Sequence, residues 1–359
     1  MNSANEIPET LSAKMANMSF ACACMIVLFH ATPAPQTGGF AWWICHLLGR
    51  EGICMIAVPW FFLSSGFFLA GHLGECEGWW KREVVKRIRS LVIPFYIWMV
   101  VAFLFGITIW YMKVHVFHMQ VKSSPFSLSP EMFILKRLGL HPFEDIGVLW
   151  YLRCLFGLVL ISPILYWLMR WKWVVLATFT VFSLVVSWYF FNGGSESFYF
   201  LFDRFISLRG LAYFFLGLIL RTNQQLLQIG RKVAACSFAL GVALLVIDNR
   251  ILLSGDVRWI GLFEALTVPF LLVGVLGVMS SRRFPKWFTG SSFPVFLMHN
   301  MFLSILSLGF KALGMYGNTK YDLVMMFSRA FFAIAASVMI SICIHRFSPR
   351  ASAIIFGGR

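Results

Sequence analysis

Gly52-Ile-Cys-Met-Ile-Ala-Val-Pro-Trp-Phe-Phe-Leu-Ser-Ser-Gly-Phe-Phe-Leu-Ala70 runs for 19 residues without a charged side chain. As a helix it is long enough to cross the ~30 Å hydrocarbon layer of a bilayer. Comparable runs line the rest of the chain: Met18–Pro33, Leu91–Tyr111, Ile146–Met169, Trp173–Phe191, Phe205–Leu220, Val233–Ile247, Trp259–Ser280, Ser291–Phe310 and Leu323–Ile344. Together they predict an all-α fold, a polytopic transmembrane bundle of about ten helices with both termini on one side. The first, sixth and seventh runs fall short of the ~20 residues a lipid-facing helix needs, so those helices are expected to be tilted, irregular or enclosed by neighbours.

Composition agrees. Of 359 residues, 59% are apolar and 13% charged, with a mean hydropathy of +0.79. Soluble domains carry about 25% charged residues, so a water-soluble globule is excluded. The excess of 30 Lys and Arg over 15 Asp and Glu does not point to nucleic acid, because the basic residues sit in short clusters between apolar runs rather than along one face. Clusters at Lys14, Lys81–Arg89, Arg170/Lys172, Arg221–Lys232, Arg282–Lys286 and beyond Ile344 fall on the same side, which places both termini in the cytoplasm. The chain then divides into a cytoplasmic segment 1–17, a transmembrane domain 18–345 and a cytoplasmic tail 346–359. The first run is read as a retained helix and not a cleaved signal, since Pro33 and Pro35 spoil the cleavage site. The eight cysteines show no metal-binding spacing, and no metal site is expected.

Ionisable side chains inside apolar helices are costly and invite a functional reading. His30, Glu51, Arg153, Arg209, Glu264 and Arg329 lie at comparable depth near the outer side, and His299 lies near the middle of the ninth run. They are expected to converge on an enclosed, wet cavity. Histidine suits a general base, a carboxylate such as Glu51 or Glu264 fixes its tautomer, and an arginine such as Arg153 holds an oxyanion or an anionic acceptor. The plainer account of His30 or Arg153 is a buried polar group paired to fix helix packing, and Arg209 and Arg329, close to helix ends, are expected to snorkel to the interface. In Trp79-Trp-Lys-Arg-Glu-Val-Val-Lys-Arg-Ile-Arg89, Lys86 lies four residues from Arg82 and three from Arg89, so one helical face gathers them as a clamp for phosphates. The competing account of that cluster is a topology determinant touching anionic headgroups.

Six segments carry a family resemblance: Val27-Leu-Phe-His30, Val58-Pro-Trp-Phe-Phe-Leu-Ser-Ser-Gly-Phe-Phe-Leu69, Lys86-Arg-Ile-Arg-Ser-Leu-Val-Ile-Pro-Phe-Tyr96, Leu149-Trp-Tyr-Leu-Arg153 running on to Ser162-Pro163, Arg209-Gly-Leu-Ala-Tyr-Phe-Phe-Leu-Gly217, and Ser291-Ser-Phe-Pro-Val-Phe-Leu-Met-His299. In this order they resemble the acyltransferase-3 family of polytopic membrane O-acyltransferases, and the likeness spans nearly the whole chain. The resemblance implies transfer of an acyl group, commonly acetyl, from cytoplasmic acyl-CoA to a hydroxyl of an extracytoplasmic glycan or lipid-linked sugar, in a bacterial cytoplasmic membrane. It implies a catalytic role for His30 and CoA binding by Lys86 and Arg89, with Arg82 beside them. One departure stands out. Family members usually carry an arginine eleven positions before the first-helix histidine, where this chain has Ser19.

The implied mechanism has His30 deprotonate the acceptor hydroxyl, which attacks the thioester while Arg153 steadies the oxyanion or the acceptor; a covalent acyl-histidine is the variant. Ser19 and His30 are separated by about 16 Å along a helix, a span that the thin pantetheine arm of a donor covers. The competing class is a transporter or flippase, for which buried charges and short helices are equally natural. The acceptor would be chosen by the loops Ala34–Arg50 and Lys113–Asp145, where Trp42 and Trp43 are either sugar-stacking or interfacial residues.

Overall fold

A computed structural model of the chain describes residues 6–32, 40–49, 52–121, 129, 131, 147–191, 193, 207–253, 260–315 and 319–358, with backbone alone at 42, 190–191, 248–253, 260–264 and 319. Regular structure among the described residues is helical, with no strand. In chain order the helices are α1 (Glu9–Ala31), α2 (Phe40–Leu48), α3 (Ala57–Ala70), α4 (Trp79–Arg87), α5 (Ile93–Tyr111), α6 (Trp150–Leu160), α7 (Ser162–Leu168), α8 (Lys172–Phe191), α9 (Leu208–Thr222), α10 (Arg231–Leu253), α11 (Ile260–Val278), α12 (Lys286–Thr289), α13 (Ser292–Ala312), α14 (Asp322–Phe347) and α15 (Pro349–Ile355).

Among the described residues, each apolar run is mostly helix. Among the described residues, six stretches are long and apolar enough to cross a membrane: Glu9–Ala31, Trp43–Ala70, Trp79–Val116, Ser162–Tyr189, Ser292–Ala312 and Asp322–Phe347. In hydrocarbon the helix is favoured because it satisfies its own backbone. Helix α1 begins at Glu9, so the segment before residue 18 continues the same rod.

Two prolines shape the interior. Pro163 cannot donate to the carbonyl four residues back, and the run Ile146–Met169 breaks at Ile161 into α6 and α7. The Ser162 hydroxyl donates to the Val159 carbonyl in place of the missing amide, at 2.7 Å, and Trp80 donates its indole N–H to Leu160 O at 3.1 Å. Pro94 leaves the Ser90 carbonyl without its i+4 donor, and the continuous rod from α4 into α5 widens there into a π-turn over Ile88–Val92.

Helix α1 is the central strut. Leu11, Met15, Met18, Cys22 and Ile26 pack into the core that contains Trp60 of α3 and Leu297 of α13. Phe20, Ala23, Val27 and Ala31 pack with Val295 of α13 and with Met326, Ala330 and Ala333 of α14. Helices α3 and α9 meet backbone to backbone: a Cβ at Gly66 would fall on the Phe214 carbonyl, and one at Gly217 on the Leu63 carbonyl. Small residues permit this approach and the van der Waals contact it brings, which drives association where lipid offers no hydrophobic gain. On the far side α8 turns Val174, Val181 and Val185 outward, as a lipid-facing helix does.

Candidate active site

At the C-terminal end of α1 the structure brings two histidines together. The His30 ring lies 5.2 Å from the His299 ring, centroid to centroid, with the planes tilted 39°. The pairing follows from α1 and α13 packing side by side. His30 is half-buried, whereas His299 is fully buried. The Nδ1 of His299 lies 3.1 Å from Val295 O. A carbonyl only accepts, so the proton sits on Nδ1 and Nε2 keeps its lone pair. That Nε2 is buried without a hydrogen-bond partner.

Around the pair, four of the six quoted segments contribute to one wall. Phe296 lies 6.4 Å from the His299 ring, Phe61 lies 6.1 Å from Phe296, and Tyr151 lies 5.6 Å from Phe296. The Tyr151 hydroxyl donates to Phe61 O at 3.1 Å and lies 3.2 Å from the Ser65 hydroxyl. Residues from α1, α3, α6 and α13, far apart in sequence, thus share one aromatic-lined region.

Arg329 departs from its expected snorkelling. It is only 7% exposed, and its Nη1 donates to Ala31 O, the residue after His30, at 3.4 Å. The reason is that α14 packs on the α1 face that carries Ala31, leaving the guanidinium inside the bundle. Arg209 is half-buried, and it lines a cavity of about 240 Å³ with Ser187, Tyr213 and Pro269 between α8, α9 and α11. Arg153 stands nearer the start of its helix than its sequence run suggested: residues 147–149 form a turn, so it falls in the first turn of α6, half-buried, two residues after Tyr151. Glu264 lies on α11, but its side chain lies outside the described residues, as do Glu51 and the side chain of Trp42. The loops named as acceptor-selecting lie largely outside them as well.

A second constellation forms on α4 and the π-turn. Lys81, Arg82, Lys86, Arg87 and Arg89 line a cleft of about 570 Å³. All three members of the expected phosphate clamp, Arg82, Lys86 and Arg89, are among them. Buried Glu83 orders the cleft from beneath: it accepts from Lys86 Nζ and from Arg87 Nε, both at 3.3 Å. Arg82 also reaches back to Cys76 Sγ and to Glu77 O. One carboxylate among these cations leaves a surplus of positive charge, which suits phosphate groups.

Ser19, at the position where the resemblance led to the expectation of an arginine, is committed to structure. Its hydroxyl donates to Met15 O at 2.9 Å and accepts from the Trp60 indole N–H at 3.1 Å. Two residues before it on α1 stands a residue that sequence reasoning passed over. Asn17 is fully buried, donates to Ser280 O at 3.0 Å and Arg282 O at 2.8 Å, and accepts from Phe284 N–H at 2.9 Å. It pins the basic loop between α11 and α12 to α1. Its one visible signal was an amide opening an apolar run. Asn17→Leu is expected to cost about 3 kcal/mol by stranding those backbone groups, read as a lowered Tm of the detergent-purified protein; an unchanged Tm would mean that the loop is held elsewhere.

These features define a polytopic helical membrane protein with a packed histidine pair and a separate cationic cleft. The chain belongs to the acyltransferase-3 family: that family's profile, described as an acyltransferase domain, matches residues 20–346. It is accordingly a membrane acyltransferase. No curated protein and no solved structure matches the chain.

Proposed function

We propose that the protein is a membrane O-acyltransferase that moves an acyl group, acetyl in the simplest case, from cytoplasmic acyl-CoA to a hydroxyl of an extracytoplasmic glycan or lipid-linked saccharide. The observation that supports this best is the convergence of His30, Phe61, Tyr151 and His299, from four separate motifs, on one region. The topology that goes with it is ten crossings of a bacterial cytoplasmic membrane with both termini inside.

In this reading Lys86, Arg89 and Arg82 hold the phosphates of the donor, and the pantetheine arm runs along α1 toward His30. His30 takes the proton of the acceptor hydroxyl as its oxygen attacks the thioester carbon. Arg153 stabilises the oxyanion, and Glu264 fixes the His30 tautomer. Collapse breaks the C–S bond, and the CoA sulfur leaves with the proton that His30 returns. His299, held by Val295, keeps the His30 ring in place. Purified protein incubated with labelled acetyl-CoA and a panel of glycans and lipid-linked saccharides is expected to label a hydroxyl and release CoA. Absence of transfer to every acceptor, with absence of CoA binding, overturns the reading.

A further inference from the structure

The last residues of the chain do not hang free below the bundle. Helix α15, N-capped by the Ser348 hydroxyl accepting from Ala351 N–H at 3.2 Å, folds back so that Trp98 of α5 donates its indole N–H to Ile355 O at 3.1 Å. Phe356 is buried and stacks on Trp98 with ring centroids 6.1 Å apart. The chain then turns through two consecutive glycines with left-handed backbone, Gly357 at φ +71° and Gly358 at φ +66°. Both line the cationic cleft. Gly357 approaches Ser90 so closely that a Cβ there would fall on the Ser90 carbonyl, the group that Pro94 leaves without its helical donor. No side chain fits at 357, and the left-handed turn suits glycine. Ser90 itself is 9% exposed and lines the same cleft, and its hydroxyl has no hydrogen-bond partner.

We infer that the C-terminal segment, through Gly357 and Gly358, is the second wall of the phosphate cleft, and that Ser90 is a phosphate-binding residue whose hydroxyl donates to a phosphate ester oxygen entering between α4 and the tail. The inference rests on the acyl-CoA reading for the source of that phosphate. The cations of α4 supply charge without much geometry. A hydroxyl donor on a π-turn, faced by side-chain-free backbone, supplies the geometry that separates a phosphate ester from a diffuse anionic surface. Beyond that tight contact the turn opens, since a Cβ at Gly358 would meet nothing within 4 Å.

Ser90→Ala and Gly357→Val in the full chain test this, with CoA and dephospho-CoA affinities measured by calorimetry in detergent, and with retention of phosphatidylglycerol measured in nanodiscs. Ser90→Ala is expected to weaken CoA about tenfold, the effect of losing one hydrogen bond to a charged group, with Tm unchanged or raised because a buried unpartnered hydroxyl is removed. Gly357→Val is expected to displace the tail and weaken CoA at least as much; should it fail to fold, Ser90→Ala alone decides. CoA binding by Ser90→Ala equal to that of the unaltered protein overturns the inference and leaves the acyl-CoA reading standing. An unaltered protein that binds no CoA, but loses phosphatidylglycerol when Ser90 is replaced, makes the cleft a lipid-headgroup site and overturns both.

Discussion

His30→Ala is expected to lower acyl transfer by about two to four orders of magnitude, the usual range for loss of a positioned general base. CoA binding should persist, because the cationic cleft is built on α4, the π-turn and the tail, none of which includes His30. The two readouts together separate chemistry from donor capture. A transporter or flippase would show no change in acceptor-dependent acyl-CoA consumption, so an unaffected rate in this variant would reject the catalytic assignment. His299→Ala supplies a graded comparison. His299 acts on the His30 ring at 5.2 Å and not on substrate in this mechanism, so its loss should reduce kcat with little change in KM for the donor, and His299→Gln should recover part of the rate.

Gly217→Leu carries the second large effect. On α9 this glycine faces α3, where a Cβ would fall on the Leu63 carbonyl and lie 2.8 Å from Phe67 N. Neither contact is with the flexible end of a side chain, so relief requires that two helices move apart along a seam that also includes Gly66 against Phe214. Overpacking of this kind costs about 3 kcal/mol or more, and separating α3 from α9 would displace Phe61, part of the aromatic wall beside His299. Little monodisperse protein should be recovered on size exclusion, and what is recovered should melt at a markedly lower temperature. Gly309→Ala is the control: a Cβ at Gly309 meets nothing within 4 Å, and alanine is the better helix former. Equal recovery of the two variants would show that the α3–α9 seam is more compliant than its geometry indicates.

One feature of the site was legible in the sequence. The i, i+4 and i, i+3 spacing of Arg82, Lys86 and Arg89 predicted a shared face, and the three line one cleft. Local spacing suffices there because all three stand on a single rod. Asn17, Arg329 and the Ser90–Gly357 contact were not legible in the same way. Asn17 reaches partners more than 260 residues away, Arg329 bonds a carbonyl 298 residues back, and Gly357 closes on Ser90 from the other end of the chain.

The sequence by itself determined the solvent and the secondary structure of this protein. An uncharged run such as Gly52–Ala70 has the length of a spanning helix and about twice that of a spanning strand, so it satisfies its backbone in hydrocarbon as a helix, and that follows from composition and length. It could not say which faces of those helices meet. In water, a polar stripe marks the outside of a helix; in lipid the outside is as apolar as the inside, so the periodicity that would assign partners is weak. The tertiary structure decided that α1 is buried on two sides, that His30 meets His299, that Arg329 turns inward and that the tail walls the cationic cleft, because each of these is settled by packing between helices that the chain itself keeps far apart.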